Sequence, residues 1–174
     1  MASKTLKGLP PIIDERARIL ILGSFPSEAS LAAQQYYAHK QNQFWKILGE
    51  ILHQPLTEMD YAAKQAAIKE AGIAIWDVYE SCERAGSLDS AIRKGKLNDF
   101  EQLKKSALAG RQAGGFPALR RVCFNGQAAG KFAAQLEAMG FITQILPSTS
   151  PANATWTYAQ KLAAWRCVCP AYVP

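Results

Sequence analysis

Short apolar runs alternate along this chain with stretches whose apolar residues recur every three or four positions. Ile19-Leu20-Ile21-Leu22 is continuously apolar and stops at Gly23, the pattern of a central strand covered on both faces. Three further runs follow the same plan. They are Ile73-Ala74-Ile75-Trp76 ending at Asp77, Arg121-Val122-Cys123-Phe124 ending at Asn125-Gly126, and Phe141 to Leu146 running into Pro147-Ser148. Helical spacing predicts an amphipathic helix carrying Phe44, Trp45, Leu48, Ile51 and Leu52, its first turn beginning around Asn42. A second carries Ala129, Phe132, Leu136 and Met139 and is stopped by Gly140, and a last one carries Tyr158, Leu162 and Trp165. The polar, glycine-rich stretch from Tyr79 to Pro117 yields one short helix, with Asn98 and Glu101 at capping-box spacing. A helix between successive strands calls for a parallel sheet with helices on both faces. The expected fold is therefore a three-layer α/β/α domain built on a four-stranded parallel sheet.

Composition narrows the class. The 174 residues suit one domain, residues 1–174, and 49% hydrophobic with 20% charged residues excludes a disordered chain. No run approaches the ~20 apolar residues that cross a bilayer, and the first residues lack a signal-type apolar segment. A cytoplasmic protein with no membrane partner is expected. The net charge of +6 makes a polyanionic partner plausible, because cations gain free energy by releasing counterions from phosphate. Cys82, Cys123, Cys167 and Cys169 include no C-x-x-C pair, so all four read as reduced packing residues. His39 and His53 are the only histidines and lack metal-ligand company. Neither a metal nor another cofactor is expected.

In an open parallel sheet, ligands bind beyond the carboxyl ends of the strands. Those exits read Gly23-Ser24-Phe25-Pro26-Ser27, Trp76-Asp77-Val78-Tyr79, Asn125-Gly126-Gln127 and Pro147-Ser148-Thr149-Ser150-Pro151-Ala152-Asn153. Small, amide and hydroxyl residues gather there with almost no charge, predicting an uncharged cavity whose rim approaches phosphate or sugar closely. The first exit is neither a dinucleotide fingerprint, nor a Walker loop, nor a nucleophile elbow. Tyr36-Tyr37-Ala38-His39-Lys40-Gln41-Asn42-Gln43-Phe44-Trp45 is the densest cluster. A tyrosine face there can stack on an extruded base, and an asparagine amide can hold a water; Asn42 also reads as a plain helix cap. Asp77 is the rival catalytic candidate, either a base with a pKa raised by burial or a structural anchor for loop amides.

These motifs resemble the uracil-DNA glycosylase superfamily. The residues that carry the likeness are Gly23 to Ser27, Tyr36 to His39, Asn42-Gln43-Phe44-Trp45, and Leu146 to Ala154, in that order. The hypoxanthine-DNA (deoxyinosine) branch is the most similar, adjacent to the mismatch-specific uracil/thymine glycosylases, and Trp76-Asp77-Val78 with Glu83 to Ser90 resembles it too. The likeness runs from about Leu9 to Trp165. It implies hydrolysis of the N-glycosidic bond of a deaminated base, most of all hypoxanthine, in double- or single-stranded DNA, by a monomer that needs no protein partner. Phe25 stands where mismatch-specific relatives carry a catalytic Asn, so the resemblance passes water positioning to Asn42. It gives base contact to Phe25, Tyr37 and Asn125, and phosphate contact to Ser24, Ser27, Ser148, Thr149 and Ser150, with Asp77 and His39 in support. Leu146 and Ser150 fall where relatives place a His or Asn and a wedging Leu. Alternatives are a uracil- or G/U(T)-mismatch glycosylase, a non-catalytic nucleic-acid-binding module, and a hydrolase of free inosine.

Overall fold

The structure is a computed structural model and describes residues 4–110, 114–169 and 171. After a short strand β1 (Thr5–Lys7), the first apolar run forms β2 (Ile19–Gly23). Side chains alternate across a strand, so Ile19 and Ile21 join the core on one face and Leu20 and Leu22 the core on the other. All four are fully buried. The chain continues through α1 (Glu28–Ala33), α2 (Phe44–Leu52) and α3 (Tyr61–Glu70) to β3 (Ile73–Asp77). Next come β4 (Tyr79–Glu83), β5 (Arg93–Leu97) and α4 (Phe100–Leu108). The rest is β6 (Arg121–Asn125), α5 (Gln127–Gly130), α6 (Ala133–Ala138), β7 (Ile142–Leu146) and α7 (Tyr158–Trp165).

The four apolar runs pair as a parallel sheet in the order β3-β2-β6-β7. Phe44, Ile47 and Leu48 of α2, Ile68 of α3 and Trp165 of α7 cover one face. Phe100 and Leu103 of α4, Ala129 of α5 and Leu136 of α6 cover the other, completing the three layers. Each such large side chain contributes about 1.5–3 kcal/mol by leaving water. Register makes the strands end level: Gly23 lies opposite Asp77, and Asn125 opposite Leu146. Backbone bonds from Val78 N–H to the Gly23 carbonyl (2.8 Å) and from Tyr79 N–H to the Ser24 carbonyl (3.1 Å) carry the pairing of the two exits past the strand ends.

Local departures from the sequence pattern have identifiable causes. Between Tyr79 and Pro117 the chain adds β4 and β5 to α4, and with β1 these form a separate antiparallel sheet in the order β1-β4-β5. Arg93-Lys94-Gly95-Lys96 of β5 is exposed, so it carries no apolar alternation; Lys94 pairs with Glu83 (2.9 Å) and Lys96 with Glu80 (2.6 Å) instead. The cap of α4 is Asp99, which accepts from the Gln102 N–H at 2.8 Å, while the Asn98 side chain donates to the Asp77 carbonyl at 2.8 Å. The helix expected through Ala129 and Met139 is broken into α5 and α6. Helix α2 begins at Phe44 rather than around Asn42, whose Oδ1 accepts from the Phe44 N–H at 3.0 Å. No helix among the described residues is long and apolar enough to cross a membrane.

Candidate active site

A cavity of about 100 Å³ opens at the carboxyl edge of the parallel sheet. Every candidate residue except His39 lines it: Ser24, Phe25, Ser27, Tyr37, Asn42, Asp77, Asn125, Ser148, Thr149 and Ser150. His39 is exposed and lines a neighbouring groove of about 480 Å³, where its Nδ1 accepts from the Gln41 N–H at 3.2 Å. Lys40, Lys46 and Lys64 line that groove as well, and Tyr36, Tyr37 and Asn42 belong to both hollows. The loop before α2 is thus a partition between a small polar cavity and a basic groove.

The partition is tightly held. Tyr36 is buried and donates its hydroxyl to the Leu9 and Pro10 carbonyls, while its own carbonyl accepts from the Trp45 indole N–H at 3.0 Å. Tyr37 follows with φ 55°, a left-handed conformation costing an ordinary residue about 1–2 kcal/mol. That turn lays its ring on Phe44 at 3.8 Å and 17°, leaving a single face for any further stacking. The Asn42 bond to Phe44 N–H orients its carboxamide and leaves the Nδ2 hydrogens and a second oxygen lone pair unspent.

On the β6–β7 side the polar groups satisfy one another. Asn125 Nδ2 donates to Thr149 Oγ1 and Asn125 Oδ1 accepts from Thr149 N–H, both at 2.9 Å. Thr149 is completely buried, so it braces the cavity wall rather than the outer phosphate rim where the sequence placed it. Ser148 Oγ accepts from Ser150 N–H, and Ser150 Oγ from Ala152 N–H, each at 3.2 Å. Ser27 caps α1 by accepting from Ser30 N–H at 3.1 Å. These hydroxyls shape their loops first, with lone pairs and hydrogens left over for a ligand.

The β2–β3 side is different, and it corrects the expectation of an uncharged cavity. Asp77 and Asp89 both line it. Gly23 is required here: a Cβ on it would lie 2.5 Å from Asp77 Oδ1 and 3.2 Å from the Tyr37 hydroxyl. Asp77 Oδ2 is buried without a hydrogen-bond partner. Burial, then the nearby Asp89 carboxylate, pushes the Asp77 carboxyl up to about 7 against the opposing charge of Arg84. Burial and the Asp77 charge also hold the Tyr37 phenol firmly protonated, Asn125 pulling the other way. Ser24 Oγ donates to Asp89 Oδ1. Arg84 donates to the Pro26 carbonyl and sits 5.1 Å from the Phe25 ring centroid. Its Nε and Nη1 are buried and unpartnered.

A family model described as the uracil DNA glycosylase superfamily matches residues 10–168. The chain belongs to the uracil-DNA glycosylase superfamily. A protein of Methanosarcina acetivorans named hypoxanthine DNA glycosylase is 41% identical over 147 residues, which cover 84% of this chain and 87% of the relative. One of the same name from Methanosarcina barkeri is 40% identical over the same shares. A solution NMR structure from Methanosarcina acetivorans, of a protein provisionally described as a uracil DNA glycosylase, superposes with a TM-score of 0.83. It is 37% identical, covering 97% of this chain and 99% of the other.

Within this glycosylase fold, sequence reasoning gave no role to Arg84, Ser87 or Asp89, although Ser87 and Asp89 line the cavity. Their one signal was the family-like stretch from Glu83 to Ser90. It folds as the end of β4 and a loop with a 3-10 turn (Asp89–Ala91), reaching the cavity from a second sheet that apolar periodicity does not reveal. The four cysteines are free thiols, Cys82 and Cys123 buried and Cys167 and Cys169 partly so.

Proposed function

We propose that this protein excises hypoxanthine from DNA by hydrolysing the N-glycosidic bond and leaving an abasic site. The observation that carries the reading is the convergence of Asn42, Phe25, Tyr37 and Asn125 on one small cavity at the strand ends. Its volume is well under the roughly 300–1,000 Å³ usual for drug-sized ligands. That favours admission of a base alone, with the sugar left at the mouth, over capture of a whole nucleoside. The hypoxanthine DNA glycosylases of both Methanosarcina species supply the choice of base.

In this reading the target nucleotide leaves the stack at a cost of a few kcal/mol, lowest at a mismatch. Stacking against Phe25 or the free face of Tyr37 offsets roughly 1–3 kcal/mol of it. Lys40, Lys46 and Lys64 in the adjoining groove hold the strand on the far side of the partition. As the bond breaks, charge collects on the base and a cation develops at the sugar. Asn42 is a carboxamide and cannot deprotonate water; it positions the water for attack, and Asn125, held by Thr149, presents its remaining N–H to the base.

The test is incubation of labelled duplexes carrying hypoxanthine, uracil or xanthine, alkaline cleavage at abasic sites, and parallel assays on free inosine. Release of hypoxanthine from duplex, weakening steeply as salt rises, is the expected result. Binding without strand scission after alkali would convert the reading to a binding module, and turnover of free inosine to a nucleoside hydrolase.

A further inference from the structure

Asp77 is the most deeply buried carboxyl of the cavity: 4% of it is exposed, whereas Asp89 is exposed and the Asn42 carboxamide is half-buried. One carboxyl oxygen is pressed over Gly23 beside the Tyr37 hydroxyl, and the other has no hydrogen-bond partner. A carboxylate so placed gives up its hydration without receiving donors in exchange. Asp89 of the loop after β4, Arg84 at the end of that strand, Tyr36 and Tyr37 before α2, and Tyr61 of α3 are the groups that face it. Asp89 and burial favour its neutral form, Arg84 the ionised one, and burial is the largest influence.

We propose that Asp77 works in its protonated form, as the hydrogen-bond donor that receives the departing base at the cavity floor. This rests on the glycosylase reading above. An everted nucleotide enters base first while its sugar stays tethered to the strand, so the deepest carboxyl meets the base. The less buried Asn42 and Asp89 meet the sugar and the water. When the C1′–N bond breaks, both electrons go to the base, and the Asp77 O–H donates to the ring nitrogen or carbonyl oxygen where they collect. The proton passes to the base, the water oxygen bonds to C1′, and a proton from that water restores Asp77. The ionised form would set a second negative charge against the developing anion across a poorly screening interior. A general base in this position needs the ionised form and therefore has the opposite pH dependence.

The experiment is single-turnover excision of hypoxanthine from a duplex, from about pH 5 to about pH 9, by the wild type and the variants Asp77→Asn, Asp77→Ala and Asp89→Asn. The wild-type rate is expected to fall by up to about tenfold per pH unit once Asp77 ionises. Asp77→Asn keeps a donor that cannot ionise. It should be several-fold slower in acid, lack the alkaline fall, and overtake the wild type near the alkaline end. Asp77→Ala should lose about 100-fold throughout. Asp89→Asn should move the fall to lower pH by removing the neighbouring negative charge, and this variant carries the test if Asp77→Asn does not fold. A wild-type rate that rises through neutrality, or Asp77→Asn as inactive as Asp77→Ala at every pH, would overturn the donor assignment. So would an alkaline fall that persists in Asp77→Asn, or one that Asp89→Asn leaves in place. Failure of the wild type on every lesion at every pH would instead bring down the glycosylase reading beneath it.

Discussion

The two sides of the cavity are built on opposite principles. Where β6 and β7 end, Asn125 and Thr149 exchange two hydrogen bonds and the serines close turns, so most polar groups already have partners. Where β2 and β3 end, Asp77 Oδ2 is buried alone, and Arg84 just behind keeps two unpartnered nitrogens. A paired group stabilises the fold and fixes a shape, whereas a buried unpaired one costs about 1–3 kcal/mol and is retained where a ligand completes it. The first side is a brace and the second carries unspent chemistry. Asn42 stands between them, with one oxygen lone pair committed to α2 and the rest of its carboxamide free.

Removing a group of each kind sharpens the contrast. Asn42→Ala should have the largest effect, lowering single-turnover excision by about 100- to 1,000-fold, since positioning and polar stabilisation of the reacting centre are lost together. Its melting temperature should move little, because the lost bond to Phe44 N–H is worth about 1 kcal/mol. Asn125→Ala should add a loss of stability that Asn42→Ala lacks, destabilising the protein by about 2–3 kcal/mol in denaturant unfolding as buried Thr149 loses two hydrogen bonds, besides slowing excision through the lost N–H to the base. A neutral melting result for Asn125→Ala would show that the brace is not one.

Asp77→Asn should stabilise. The folded carboxyl titrates near 7, above its ordinary value of 3.8, so the folded state binds more protons than the unfolded one between those limits. Wild-type stability therefore falls as pH rises through this window, and the cost is complete above about 7. With the buried amide taking back part of the gain, the variant should be about 1–2 kcal/mol more stable at pH 8, the difference shrinking towards pH 4, by urea titration at both. Equal differences at both pH values would place the Asp77 carboxyl in an ordinary environment. Smallest of all, Lys40→Ala, Lys46→Ala or Lys64→Ala should each weaken duplex binding a few-fold and reduce the salt slope by about 0.9. Unchanged slopes would move the strand away from the groove.

The sheet was legible because its inner strand β2 is buried on both faces, and β3 and β6 nearly so, so Ile19 to Leu22 could be nothing but apolar. Gly23, Asp77 and Asn125 were legible in turn, as residues that end such runs. Asn42 is legible from its place beside two tyrosines and Phe44-Trp45, although the helix that follows starts two residues later, at Phe44. The loop bearing Asp89 was not found by pattern. It hangs from a sheet whose β5 strand is exposed and stabilised by ion pairs, leaving no hydrophobic period to read. Nor does sequence reveal that Thr149 turns inward, since that is decided by a pairing with Asn125 across two strand exits.

Gly23, Asp77 and Asn125 are the last rungs of the same ladder whose inner rungs hold the two cores apart. The cavity floor and the architecture consequently share one cooperative unit. On warming, loss of turnover should superimpose on the loss of the sheet itself, and cooling should return both at once.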